Sequence, residues 1–192
     1  MGLTSLINSE KPTPLDEAKN VIYFIRNFYY DSVGELYSHI KSNLLDDDFD
    51  NPRLIQLGFW PGGDRDGNPF VTSDTTIKVA DELRTTLMKC YYRDVKALER
   101  KLTFKGVTEI IENLRERLYI AMFDSSKNID YAEILANLEK IHVLLTTRFN
   151  SLYVEEIKSL IDKVKIFKNH FASLDIRQNH SVHKKIIEKI LK

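Results

Sequence analysis

Cysteine is almost missing from this sequence. Cys90 stands alone, so no internal disulfide can form and the fold must rest on its core. The thiol falls in a helical pattern, where a buried or half-buried position is expected and a reducing compartment fits. Long apolar runs are missing too: none reaches the ~18 residues of a bilayer-spanning helix. No basic stretch followed by an apolar one opens the chain, so no signal peptide is expected. Net charge is also absent, with 28 Lys/Arg against 28 Asp/Glu. A nucleic-acid-binding domain normally carries a strong basic excess, which sets that class aside. The charge is uneven all the same. Residues 1–100 lean acidic and residues 101–192 lean basic, from Lys158, Lys163, Lys165 and Lys168 to Lys184, Lys185, Lys189 and Lys192. Such lysines read as solvated helix faces. There is no repeat and no low-complexity segment.

What is present suits a globular fold. The chain has 192 residues, 43% hydrophobic and 29% charged, enough to bury about 70% of its unfolded surface. Helical periodicity dominates. Thr13 is placed to cap a helix whose first turn holds Pro14, Asp16 and Glu17. Val21, Phe24, Ile25 and Phe28 mark its apolar face. A second helix carries Val33, Leu36, Tyr37, Ile40 and Leu44, and the acidic run Asp46-Asp47-Asp48, with Asp50 and Pro52, ends it. Residues 54–60 (Leu-Ile-Gln-Leu-Gly-Phe-Trp) read as a buried strand. Thr72 or Ser73 then caps a long helix with the stripe Ile77, Ala80, Leu83, Leu87, Tyr91, Val95, Leu98 and Leu102. Further helices carry Ile110, Ile111, Leu114, Leu118 and Met122; Ile134, Leu135, Leu138, Ile141 and Leu145, from near Asp130; and Ile157, Leu160, Ile161 and Val164. Residues 171–176 alternate like a strand. A helical tail bears Ile186, Ile187 and Ile190. Two short strands among long helices make no complete sheet, which points to strand partners outside the chain.

The segment Gly62-Gly63-Asp64-Arg65-Asp66-Gly67-Asn68-Pro69 cannot be regular structure. Its glycines allow positive φ and close approach. Arg65 offers a fork of donors for carboxylate or phosphate. Asp64 and Asp66 are placed to hold that guanidinium, and the helix from Ser73 points free N–H groups the same way. A tight structural turn explains these residues equally well. An EF-hand does not: Pro69 stands at the glycine position and Thr75 at the final glutamate position. The run Asp46, Asp48 and Asp50 fails the same test. No Gly-Lys-Ser/Thr follows, so the loop is not a Walker loop.

This loop, preceded by Phe59-Trp60-Pro61 and followed by Val71-Thr72, resembles the signature of phosphoenolpyruvate carboxylases, with eight consecutive residues matching. Lys11-Pro12-Thr13-Pro14-Leu15-Asp16-Glu17-Ala18 resembles a segment upstream of that signature. Asp175-Ile176-Arg177-Gln178 resembles a strand end downstream, and His183 falls where the family often has a histidine. Pro61, Phe70, Asn179 and His180 depart from the pattern, so no role is carried to Asn179 or His180.

The resemblance implies an enzyme that makes oxaloacetate and phosphate from phosphoenolpyruvate and bicarbonate, a carbon dioxide fixation feeding the tricarboxylic acid cycle, with Mg2+ or Mn2+. It implies that Arg177 contacts substrate phosphate, that Arg65 lines or braces the same cavity, and that Trp60 shapes the bicarbonate or CO2 pocket. Gly62, Gly63, Asp64, Asp66, Gly67 and Asn68 would hold the loop's shape. The family's catalytic histidine segment, metal ligands and catalytic lysine have no counterpart here, so the sequence is expected to be one helical fragment, residues 1–192, without turnover of its own and with residues 1–10 poorly ordered. The implied fold is mainly α, with about two short strands that would belong to a parallel (β/α)8 barrel in the complete enzyme. The implied partners are the remainder of the polypeptide and, in the parent, further copies of itself in the cytoplasm, without nucleic acid or membrane. An open parallel strand pair would also favour self-association. A self-standing helical binding module with an anion-binding loop remains the alternative.

Overall fold

The computed structural model describes residues 11–43, 49–66 and 68–191. Residues 1–10, expected to be poorly ordered, lie outside that set, as do Leu44, Asp46–Asp48 and Gly67.

Helix α1 (Pro14–Phe24) begins at a reciprocal cap. Asp16 N donates to Thr13 Oγ1 (3.2 Å), and Thr13 N donates to Asp16 Oδ2 (3.0 Å). Two N–H groups that the first turn would leave orphaned are thereby satisfied. The two helices expected here are fused: α1 runs into α2 (Tyr30–Asn43) through a π-helical turn, Ile25–Tyr29. That wide turn adds a residue to the helical repeat. Ala18, Ile22 and Ile25 face the core, and the next residue to do so is Tyr30, five on, followed by Val33 and Tyr37. The expected apolar face is therefore corrected. Phe24 and Phe28 are 53% and 57% exposed, and Leu36 is exposed as well.

Helix α3 (Ser73–Glu99) is the centre of the bundle, capped by Thr72, whose Oγ1 accepts from Thr75 N at 3.3 Å. It packs on α1, on α4 (Thr108–Phe123) and on α6 (Val154–Phe167). Helix α5 (Tyr131–Arg148), capped by Asp130, packs on α4 and α6, and α2 on α6. The stripes read from periodicity are largely buried: Leu83, Leu87, Tyr91, Val95, Leu98 and Leu102; Ile111, Leu114 and Leu118; Ile134, Leu138, Ile141 and Leu145; Ile157, Leu160 and Val164. Each such side chain contributes roughly 1.5–3 kcal/mol over its exposed state. Ile77 is the exception. It lies beside the buried Thr76 and Val79 but off the core-facing stripe, and is exposed.

The basic stretch is not uniformly solvated. Lys163 is mostly buried, with Nζ 2.9 Å from Asp31 Oδ1 and 3.1 Å from Asp94 Oδ2, and 4.5 Å from the centre of the Tyr30 ring. Gly34 makes room for it: a Cβ there would lie 2.7 Å from Lys163 Cε. This contact clamps α2, α3 and α6 together.

Strands β1 (Gly58–Phe59) and β2 (Ser173–Leu174) pair in parallel, Gly58 opposite Ser173 and Phe59 opposite Leu174. Ser173 N donates to Leu57 O (2.9 Å) and Asp175 N to Phe59 O (2.8 Å). Both strands are shorter than the sequence suggested, and Leu54, placed in the first of them, is exposed. A single parallel pair with no further strand beside it among the described residues sustains only a short ladder. Helix α7 (His180–Ile190) follows and buries no residue. Parallel pairing is the part of the expected barrel architecture that these residues contain. No helix among them is long and apolar enough to cross a membrane.

Candidate functional site

Parallel strands finish on the same side, so the residues after Phe59 and after Leu174 emerge as neighbours. The backbone then ties them together. Arg65 N donates to Arg177 O (3.0 Å) and Arg177 N donates to Gly63 O (3.0 Å). The two motif segments, far apart in sequence, thus run side by side with both arginines at one strand end.

The turn that allows this is built on Trp60, whose carbonyl accepts from Gly63 N (2.9 Å) and Asp64 N (3.2 Å). Gly62 sits at φ +78°, and a Cβ on it would lie 2.6 Å from Val79 Cγ2. At Gly63 a Cβ would lie 2.1 Å from Asp175 O. Glycine at both positions is therefore a matter of close approach. Asp64 Oδ1 accepts from Asp66 N (3.1 Å) and Asn68 Oδ1 from Phe70 N (3.1 Å), local bonds that fold the loop on itself. Gly67 lies outside the described residues.

Arg65 is half-buried and is not held by its flanking aspartates, contrary to the sequence expectation. Asp64 is turned onto its own loop, and the guanidinium reaches α3 instead. Arg65 Nη2 donates to Thr76 Oγ1 (2.9 Å), and the same hydroxyl donates to Gly62 O (2.8 Å). Thr76 is buried and joins the turn to the arginine. Sequence reasoning missed it, since a threonine one turn into a helix carries no distinctive signal. Arg65 Nε is buried without a partner among the described residues, a donor left available.

Arg177 is exposed, and its side chain forms no hydrogen bond or ion pair with a described residue. Its backbone is fixed while its guanidinium is free. Trp60 is 54% exposed, so the segment read as a buried strand does not bury its last residue. Asn179 caps α7, its Oδ1 accepting from Ser181 N at 2.9 Å. Cys90 offers no nucleophile: it is buried, and burial pushes its thiol up to about 12.

The exposed Arg177 guanidinium at the strand end has the donors that a phosphate or carboxylate accepts from. No three His, Cys, Asp or Glu side chains come together as a metal-binding group among the described residues.

Comparison with known proteins agrees with the family resemblance carried by the motifs. The family described as Phosphoenolpyruvate carboxylase matches residues 3–128 and 120–192. The chain is 28% identical to the phosphoenolpyruvate carboxylase of Aliivibrio salmonicida over 223 residues. It is 26% identical to that of Shewanella halifaxensis over 223 residues, and 25% identical to that of Rhodopseudomonas palustris over 236. These alignments cover 97%, 97% and 98% of this chain and 25% of each relative. The chain spans about a quarter of the length of the curated relatives it matches.

Proposed function

Since the chain belongs to the phosphoenolpyruvate carboxylase family, we propose that it is the phosphate-holding part of an enzyme making oxaloacetate and phosphate from phosphoenolpyruvate and bicarbonate. The observation that carries this reading is the backbone pair joining Gly63 and Arg65 to Arg177. It brings the two matched motifs side by side at one strand end, with Asp64 opposite Arg177.

In this reading bicarbonate attacks phosphorus, giving carboxyphosphate and the enolate of pyruvate, and the enolate then takes up the CO2 released from carboxyphosphate. Charge on the transferring phosphoryl oxygens must be offset, a task of placement and electrostatics. Arg177 supplies a free guanidinium to those oxygens. Arg65, braced by Thr76, supplies a second from the wall. Trp60 borders the side where bicarbonate enters. In the complete enzyme Mg2+ or Mn2+ would supply further positive charge to offset the phosphoryl oxygens. The described residues include no group of three His, Cys, Asp or Glu side chains that could hold it. The metal ligands and the catalytic histidine belong, on this account, to further polypeptide, and the assembled enzyme acts in the cytoplasm as an oligomer.

The purified chain, given phosphoenolpyruvate, bicarbonate and Mg2+, is expected to form no oxaloacetate while still binding phosphoenolpyruvate. Arg177→Ala is expected to weaken that binding about tenfold, the loss of one charge-assisted contact. Turnover by the chain alone would contradict the assignment of catalysis elsewhere. Binding indifferent to Arg177 would contradict the site.

A further inference from the structure

The parallel pair has a second end. Where the strands begin, on the side away from Arg65 and Arg177, lies a cleft of about 690 Å³. Its walls are the segment leading into β1 (Pro52–Leu57), the segment leading into β2 (Phe167–Ala172), and the flank of α3 at Ala80 and Leu83. No residue from Trp60 to Asp66 lines it, nor does Arg177. Its volume falls within the roughly 300–1,000 Å³ of small-molecule sites.

The lining is chemically one-sided. Ile55, Leu57, Leu83 and Tyr131 supply apolar surface, Arg53, Lys168 and His170 supply cationic or hydrogen-bonding groups, and no aspartate or glutamate among the described residues takes part. Arg53 and Lys168 are exposed, and neither side chain forms an ion pair with a described residue. Lys168 Nζ stands over the Tyr131 ring, 5.8 Å from its centre. The Lys168 backbone lies at φ 53°, ψ −115°, a region where a side chain is strained and glycine is not. Tyr91 Oη donates to the Lys168 carbonyl at 2.9 Å, holding that conformation in place. A strained position thus carries a lysine at the cleft. Partial desolvation, with the Arg84 charge adding to it, lowers His170 from the usual histidine value.

We propose that this cleft is a second ligand site, distinct from the Arg177 site, for a small organic anion with an apolar body. Its carboxylate or phosphate head pairs with Arg53 and Lys168. Its body lies against Leu57, Leu83 and Tyr131. The free cations set the charge of the ligand, and the apolar floor sets its amphipathic character.

The test is a titration of the full chain with phenyl phosphate and with benzoate, followed by the NMR signals of His170 and Lys168. Inorganic phosphate and acetate serve as head-only probes. Saturable shifts with at least one aromatic anion are expected, the tighter of the two identifying the head, with the matching head-only probe at least about tenfold weaker. Arg53→Gln is expected to weaken binding about tenfold. Lys168→Gly is expected to weaken it similarly while raising the Tm, because glycine relieves the backbone strain; the loss then cannot be ascribed to unfolding. Arg177→Ala leaves this binding unchanged, which separates the cleft from the phosphoenolpyruvate site. Absence of saturation, indifference to both Arg53→Gln and Lys168→Gly, or loss of binding in Arg177→Ala would overturn the proposal.

Discussion

Gly63 tolerates no side chain. The atom that a Cβ would meet at 2.1 Å is the Asp175 carbonyl oxygen, part of a backbone that cannot swing aside. Gly63→Ala must therefore part the loop from the β2 strand end and disturb the bonds that align Arg65 with Arg177. Overpacking of this kind costs about 1–3 kcal/mol, and a chain of this size loses roughly 2–4 °C per kcal/mol. The expected outcome is a Tm lowered by about 5 °C with phosphoenolpyruvate binding lost, read by thermal melting and titration. An unchanged melt would show that the loop and strand end are not packed as described. The presence of two adjacent glycines was legible in the sequence as a close approach. What they approach was not: Val79 and the Asp175 carbonyl lie far along the chain from them. Thr76 was illegible for the same reason. Its role exists only because α3 starts where Gly62 and Arg65 can both reach its hydroxyl.

At the scale of elements, helix starts were the most readable features. Thr13, Thr72 and Asp130 each cap a helix because a short side-chain oxygen before an apolar repeat has one good use. The π-helical turn was invisible, since a fixed 3.6 period cannot register one added residue, and it misassigned Phe24 and Phe28. The clamp among α2, α3 and α6 was also hidden, because Lys163 looks like any surface lysine until Gly34 and Tyr30 are placed beside it. Asp31 in that clamp makes it sensitive to pH. Burial raises its pKa, but hydrogen bonds from Lys163 and Arg93 together outweigh burial and hold it below the usual carboxylate value. A carboxylate depressed in the folded state adds stability above its unfolded pKa of about 3.9, and that stability is lost as pH falls through the folded value. The Tm gap between the native chain and Asp31→Asn should thus be fully developed at pH 7 and close progressively below about pH 4. A gap that stays constant from pH 7 to pH 3 would show that the Asp31 charge contributes nothing.

For the whole molecule, one contiguous core links α1 to α6, while α7 and the aromatic face at Phe24 and Phe28 are left uncovered. The mainly helical character was plain from the repeat, and the parallel strand pair was foreseen, though not its brevity. The cleft beneath the strands was not foreseen, because it arises from two separate connecting segments meeting across the pair. The proposed site stands or falls with Arg65 and Arg177 acting on one phosphate. The most direct test is a double-mutant cycle on phosphoenolpyruvate binding with Arg65→Lys, Arg177→Ala and the combination; the lysine keeps the charge at position 65 but loses the planar fork. Each single change should weaken binding, and the pair should weaken it by clearly less than the product of the two factors, since both arginines share one ligand group. Factors that simply multiply, or a single change without effect, would contradict a shared pocket.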